Sequence, residues 1–346
     1  MIDFKKYKAD FYDEAIRQGY NASEISDMIA YAERLNGQDL PIIFDQLHLS
    51  LLVGYDYAYL LGAANSPMLY YRHYDIPKKS GGTRPIDEPL PSLKEIQSWI
   101  LLNILYPAMP KHLSPVAKAF VPGKSLRENA RFHRNKQTVV ALDLKDSFGS
   151  IRFGEVYGFF TKLGYNSSVA MMLTRLCVFK GSLPQGAPTS PMLSNLVFQE
   201  LDNKIFRYCR DRKIMYTRYA DDMTFSADKM DVTHLISYVR MLIAPKRLKL
   251  NDDKTNVMGR GASQRVTGIV VNEKIQVPKA YRDKVRQEVY YCMKFGIANH
   301  MQHTHYPEWI NTPEQYIHHL QGKINYVLQV NPKDEMFRKY ASWLNS

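Results

Sequence analysis

Cysteine is scarce in this chain and badly placed for pairing. Cys177, Cys209 and Cys292 are odd in number and far apart, which gives neither a disulfide framework nor a zinc-ligand spacing. A reducing cytoplasm is the expected compartment. Long apolar runs are missing as well. No uninterrupted stretch is long enough to cross a bilayer. The start, Met1-Ile2-Asp3-Phe4-Lys5-Lys6, leads into charged sequence without the apolar centre of a signal peptide. Neither secretion nor membrane insertion is expected. No internal repeat is present, which sets aside repeat architectures. Acidic residues are in deficit: 34 Asp and Glu face 46 Lys and Arg, for a net charge of +12. That excess points to a polyanionic partner, most simply nucleic acid. The 24 tyrosines suit base stacking beside phosphate contacts. Apolar content of 45% is ordinary for a folded protein, and 346 residues suggest two or three structural units.

The chain is organised around Arg218-Tyr219-Ala220-Asp221-Asp222-Met223. Residues 213–219 and 223–227 alternate like short strands, and Asp is favoured in the tight turn between them. Asp221 and Asp222 are therefore expected to crown a β-hairpin. Two adjacent like charges repel, and that repulsion requires compensation. A third carboxylate interrupts a second strand. Residues 138–144, Thr-Val-Val-Ala-Leu-Asp-Leu, are apolar on both faces, as a buried central strand should be. Asp143 within it is costly unless paired or bound to metal.

Around these strands the pattern is mostly helical. Residues 1 to about 62 read as helices, one capped at Asn21 or Ser23. Residues 71–77 and 84–86 read as a hairpin with a Lys78-Lys79-Ser80-Gly81-Gly82-Thr83 turn. Residues 93–106 are amphipathic. The segment 119–136 is dense in Lys, Arg, Asn and His, with Ser125 and Glu128 set as a capping box. Gly123-Lys124-Ser125 looks like the end of a phosphate-binding loop, but the earlier glycine of that motif is missing. Helices are expected over 153–163 and 166–178. The Pro/Gly-rich loop 181–191 then opens one long helix to about Arg212. Residues 232–242 read as a helix, 263–272 alternate like a hairpin strand, and a helical tail starts at Pro278. The fold class expected is α+β with an antiparallel hairpin at its heart. His300, His303 and His305 cluster loosely, with His318 and His319 nearby. Without a cysteine they fit surface or RNA-facing histidines better than zinc ligands.

If the two strands pair, Asp143, Asp221 and Asp222 meet at one rim. Clustered carboxylates with a phosphate substrate fit two Mg²⁺ ions, or Mn²⁺ in their place. Such a pair activates a 3′-hydroxyl and stabilises leaving pyrophosphate. Lys78, or its neighbour Lys79, and Arg84 suit the triphosphate. Phe148, five residues after Asp143, suits exclusion of a 2′-hydroxyl by bulk. Gln185 and Gly186 suit a position along the templating pair.

Taken together, these residues resemble reverse transcriptases. Tyr219-Ala220-Asp221-Asp222 looks like their YxDD box, Asp143 with Phe148 resembles their first palm motif, and residues 183–191 resemble the second. Lys254 falls where the family has a palm lysine. Two further segments resemble bacterial retron reverse transcriptases: Asn129-Ala130-Arg131-Phe132-His133 their NAxxH segment, and Val266-Thr267-Gly268 their VTG segment. Ser147 departs from the pattern, since many relatives carry a second aromatic there.

The resemblance implies a right-hand polymerase fold. On it, residues 1–62 are an N-terminal helical segment and 63–137 the fingers with the basic hairpin. Residues 138–277 form the palm, with an insertion around 153–180, and 278–346 a helical thumb. It also implies a cognate structured non-coding RNA as template and 2′-hydroxyl primer, contacted by Asn129, Arg131, His133, Val266, Thr267 and Gly268. The products implied are branched RNA-linked single-stranded DNA made from dNTPs, and the setting anti-phage defence with an effector protein. No RNase H-like domain is expected after the thumb. The alternatives are a group II intron-like reverse transcriptase, a silent RNA-binding scaffold, and, more remotely, a nucleotide cyclase on a related palm.

Overall fold

A computed structural model describes residues 3–78, 81–304, 306–307 and 309–345. Lys79 and His305 lie outside the described residues. Contacts divide the chain into two compact units, each built from several chain segments.

The first unit comprises Met1–Phe120, Leu144–Ile205 and Val239–Lys249. It begins with the helices Phe4–Arg17, Ala22–Asn36, Gln46–Val53 and Tyr57–Asn65. Asn21 caps the second through a full capping box with Glu24. Ile25, Ile29 and Ala32 of that helix are buried at helical spacing. Next come β1 (Tyr71–Pro77) and β2 (Thr83–Pro89), paired antiparallel from Tyr71↔Pro89 to Pro77↔Thr83. The tip closes by Lys78 N–H donating to Gly82 O at 2.9 Å. Gly81 and Gly82 both adopt positive φ, +87° and +75°, which explains the glycine pair. The amphipathic stretch after it is helical over Pro91–Ile100, loosens into a π turn at Leu101–Leu105, and resumes at Tyr106–His112. Helices Phe153–Lys162 and Ser167–Cys177 bury Val156, Phe160, Val169 and Leu173. Each such side chain stabilises by about 1.5–3 kcal/mol on burial.

The expected long helix is interrupted. It runs Ser190–Val197 and then Gln199–Asp211. The turn at Phe198 keeps its hydrogen bond to Ser194 O at 3.1 Å, so only one residue leaves the regular pattern.

The second unit comprises Val121–Asp143, Phe206–Tyr238 and Leu250–Ser346. Its centre is β3 (Thr138–Lys145). One edge of β3 pairs with β5 (Asp222–Ala227), which in turn pairs with β4 (Met215–Tyr219). β6 (Lys249–Leu250) and β7 (Asn256–Gly259) also pair with β3. Val139, Val140 and Leu142 are fully buried, as expected for a central strand. β8 (Arg265–Val266) and β9 (Ile269–Val270) make a small hairpin. The tail folds as helices Lys279–Phe295, Ile297–Gln302, Pro313–Val330 and Glu335–Leu344. One core joins Val139, Met258, Val266 and Ile269 to Val285, Val289, Ile324, Val327 and Phe337.

All three cysteines are buried and unpaired. Burial pushes the Cys177 and Cys209 thiols up to about 12. Among the described residues no helix is long and apolar enough to cross a membrane.

Candidate active site

The hairpin tip is a two-residue turn. Tyr219 pairs with Asp222, and Ala220 and Asp221 form the loop. Ala220 takes φ +58°, a left-handed conformation that a non-glycine residue adopts only when held there. Part of the hold is Arg218. Its side chain is among the largest fully buried ones, and Nη1 donates to Ala220 O at 3.0 Å. The sequence reading assigned Arg218 no role, since nothing in an alternating strand marks an arginine as inward-facing.

Register brings the carboxylates together. Asp143 on β3 stands directly opposite Asp222 on β5. Residues directly opposite each other share a face, with Cβ atoms about 4.5–5.5 Å apart. Asp221 adjoins in the turn. The negative charge has a chemical signature: the Asp222 carboxyl is pushed up to about 6. Burial is the largest cause, followed by the charges of Asp221 and Asp143, against the opposing charge of Lys254. Lys254 donates to Asp143 Oδ1 at 2.8 Å, and that bond raises its ammonium above the usual lysine range. Asn251 N–H donates to Asp143 O at 2.8 Å, tying the segment before Lys254 to the same strand.

An all-carboxylate set with surplus charge suits a hard divalent cation. Among the described residues no three His, Cys, Asp or Glu side chains already converge as an ion cage.

The first unit holds the other expected contacts. Arg84 is exposed on β2 opposite Ile76, and Lys78 is exposed at the hairpin tip. Gln185 O accepts from Asp87 N–H at 2.8 Å, fastening its loop to β2. Gly186 has φ +126°, and a Cβ there would lie 2.9 Å from Asp87 O and from Ile86 Cγ2. Only glycine fits that approach. Phe148 is half-buried, its ring centroid 6.5 Å from that of Phe120. Phe120 is an exposed aromatic at φ +58° that sequence reasoning passed over.

The NAxxH-like segment needs a correction. Asn129 and His133 are both fully buried, which leaves them no surface for RNA. They bond instead to the hairpin that carries Asp221 and Asp222, on the sheet face that Ser226 and Thr217 share with Asp222. His133 Nε2 lies 2.7 Å from Thr217 Oγ1 on β4, and Nδ1 lies 2.8 Å from Ser226 Oγ on β5. Thr217 Oγ1 donates onward to Asn129 Oδ1 at 2.6 Å. With its proton committed to Asn129, Thr217 accepts from Nε2–H, so Nδ1 accepts from Ser226. Burial pushes the imidazole down to about 3, and it is neutral at ordinary pH. Arg131, between them, is exposed.

The VTG-like segment is the tip of the β8/β9 hairpin. Val266 is buried in the core and is thereby removed from RNA contact, whereas Gly268 is exposed. Thr267 and Gly268 both adopt positive φ, +46° and +82°. For β-branched Thr267 that is a strained backbone.

Residues 76–288, more than half of the chain, match the family Reverse transcriptase (RNA-dependent DNA polymerase). The chain is 35% identical to the retron Ec86 reverse transcriptase of Escherichia coli over 238 residues, covering 67% of this chain and 73% of that enzyme. It is 34% identical to the retron Mx65 reverse transcriptase of Myxococcus xanthus over 307 residues, covering 82% and 67%. The chain belongs to the retron reverse transcriptases. The retron enzyme is an RNA-directed DNA polymerase, a nucleotidyltransferase with the right-hand α+β fold, and polymerases of this family depend on a divalent metal. Among solved structures, apo telomerase from Candida tropicalis aligns with a TM-score of 0.47 and 11% identity, over 75% of this chain and 56% of that one.

Proposed function

We propose that this retron reverse transcriptase copies a cognate structured non-coding RNA that serves as both template and 2′-hydroxyl primer. The product is branched RNA-linked single-stranded DNA, made from dNTPs in the cytoplasm, in anti-phage defence beside an effector protein. The observation that carries the polymerase chemistry is the register pairing of Asp143 with Asp222 beside Asp221.

In this reading Asp143, Asp221 and Asp222 are the catalytic metal ligands, and the metal is Mg²⁺. Bound there, it activates the attacking hydroxyl and neutralises the leaving pyrophosphate. The protein's own part is positioning. Lys254 fixes the Asp143 carboxylate by its 2.8 Å hydrogen bond. Arg218 holds the turn that presents Asp221 and Asp222. In the first unit, Lys78 and Arg84 neutralise the triphosphate, Phe148 selects against a 2′-hydroxyl, and the Gln185-Gly186 loop lies along the templating base. Arg131, Thr267 and Gly268 are the RNA contacts of the two retron-like segments. Asn129 and His133 serve as positioning residues, clamping β4 to β5 on the same sheet face as the carboxylates, farther along the strands. Residues 63–137, 138–277 and 278–346 act as fingers, palm and thumb, after the helical segment 1–62.

The test is to express the gene with its native flanking DNA and size the small nucleic acids after RNase and debranching treatment. A discrete single-stranded DNA with a debranchable RNA link, lost with Asp221→Asn, is expected. Primer extension on added RNA without any branched product would overturn the retron-specific part and leave a general reverse transcriptase.

A further inference from the structure

The tail helices of the second unit carry a pocket that polymerase chemistry does not use. It encloses about 350 Å³ between Tyr291 and Phe295 on one helix and Asn299, His300 and His303 on and just after the next. That volume lies at the small end of ligand sites, which run from about 300 to 1,000 Å³. Its walls are aromatic and accessible: Tyr291 is 37% exposed and Phe295 51%. The rings are nearly parallel. Tyr291 stacks at 21° to His300 and at 25° to Phe295, with centroids 5.9 and 6.2 Å apart.

A polar relay fixes the histidine. Cys292 Sγ lies 3.6 Å from Tyr316 Oη, and Tyr316 hydrogen-bonds Tyr306, whose hydroxyl lies 3.0 Å from His300 Nε2. Burial holds His300 below its ordinary value, so the ring is neutral, with one nitrogen able to donate and the other to accept. A cation completes the set: Lys294 Nζ lies 5.2 Å from the Phe295 centroid and 5.6 Å from that of Tyr290. The helix Lys279–Phe295 bears five Lys or Arg against two carboxylates, and one of those, Glu288, is already paired with Lys323 at 2.8 Å.

Parallel aromatic faces, a neutral imidazole and a flanking ammonium match a base with its phosphate. We propose that this pocket binds one unpaired nucleobase of a single-stranded RNA segment, stacked on Tyr291 and Phe295, with the adjoining phosphate on Lys294. The proposal rests on the reading of RNA as the enzyme's partner.

The probe is a labelled ten-nucleotide single-stranded RNA carrying one 4-thiouridine, with the same sequence as a duplex for comparison. The full-length protein should crosslink to it within residues 290–304. Tyr291→Ala, Phe295→Ala and Lys294→Gln should each weaken single-strand binding, the aromatic variants by tenfold or more. Tyr291→Trp should retain it, and duplex affinity should stay within twofold. Both aromatic side chains are exposed, and circular dichroism checks that the variants fold. Crosslinks confined elsewhere, or aromatic variants that bind the single strand as the parent does, overturn the proposal. So does loss of a co-purifying protein without loss of RNA binding. Asp222→Asn separates the two readings: it should abolish DNA synthesis and leave this binding unchanged. If it polymerises normally, the active-site reading fails and the pocket stands.

Discussion

His133→Ala is the substitution that best separates a buried clamp from an RNA contact. The imidazole makes two hydrogen bonds, to Thr217 Oγ1 at 2.7 Å and Ser226 Oγ at 2.8 Å. Each is worth about 1 kcal/mol net, and a buried polar partner left unsatisfied costs about 1–3 kcal/mol more. Ser226 is fully buried and loses the acceptor for its hydroxyl proton. Thr217 keeps its bond to Asn129 and loses only a donor. The sum is about 3–5 kcal/mol, large against a typical total stability of about 5–15 kcal/mol. For a unit of roughly 150 residues each kcal/mol shifts Tm by about 2–4 °C, so a fall of about 6–20 °C is expected. Differential scanning fluorimetry reads it directly. His133→Gln, which carries both a donor and an acceptor, should recover part of the loss, and DNA synthesis should recover with it. Exposed Arg131→Ala should leave Tm unchanged and weaken RNA binding. A Tm within about 2 °C of the parent for His133→Ala, accompanied by weaker RNA binding, would refute the clamp.

Three further outcomes are expected. Between about pH 6.5 and 3 the unfolded chain protonates His133 while the folded one does not, so stability falls as pH falls through that window, by up to about 1.4 kcal/mol per pH unit. Urea titrations at pH 7 and 5 should show this slope in the parent and lose it in His133→Gln. Asp222 acts in the opposite sense: its folded carboxyl holds a proton up to about pH 6 that the unfolded chain releases near 4, so stability falls as pH rises between them. Asp222→Asn should therefore raise Tm at pH 7 without metal while abolishing DNA synthesis; a lowered Tm would sink the charge-surplus argument. Gly186→Ala must accommodate both φ +126° and a 2.9 Å approach to Asp87 O, and should cost about 1–3 kcal/mol, read as a lowered urea midpoint.

Much of this site was readable before any coordinates. Residues 213–219 and 223–227 alternate so regularly that a hairpin crowned by Asp221 and Asp222 was the economical reading, although Asp222 proves to be the first residue of β5, and the apolar run of β3 marked Asp143 as an intruder needing a partner. Register turned that into a meeting of carboxylates. What the sequence hid was direction. His133 stands in a Phe-His-Arg-Asn-Lys run that looks like surface, and only its bonds to Thr217 on β4 and Ser226 on β5 reveal that it points inward. Arg218 is hidden for the same reason, because an alternating strand does not say which face is buried. The pocket beside His300 was visible only as a loose histidine cluster. Its aromatic partners come from the preceding helix, and no local spacing announces that they converge.

The most direct measurement is primer extension by purified protein on an annealed RNA template with Mg²⁺, run in parallel for the parent, Asp143→Asn and Asp222→Asn, with RNA affinity measured on the same samples. Both variants should lose extension by about a thousandfold or more while RNA affinity stays within about twofold. Extension by either variant within tenfold of the parent would contradict the assignment of Asp143 and Asp222 as the paired carboxylates at which DNA synthesis occurs.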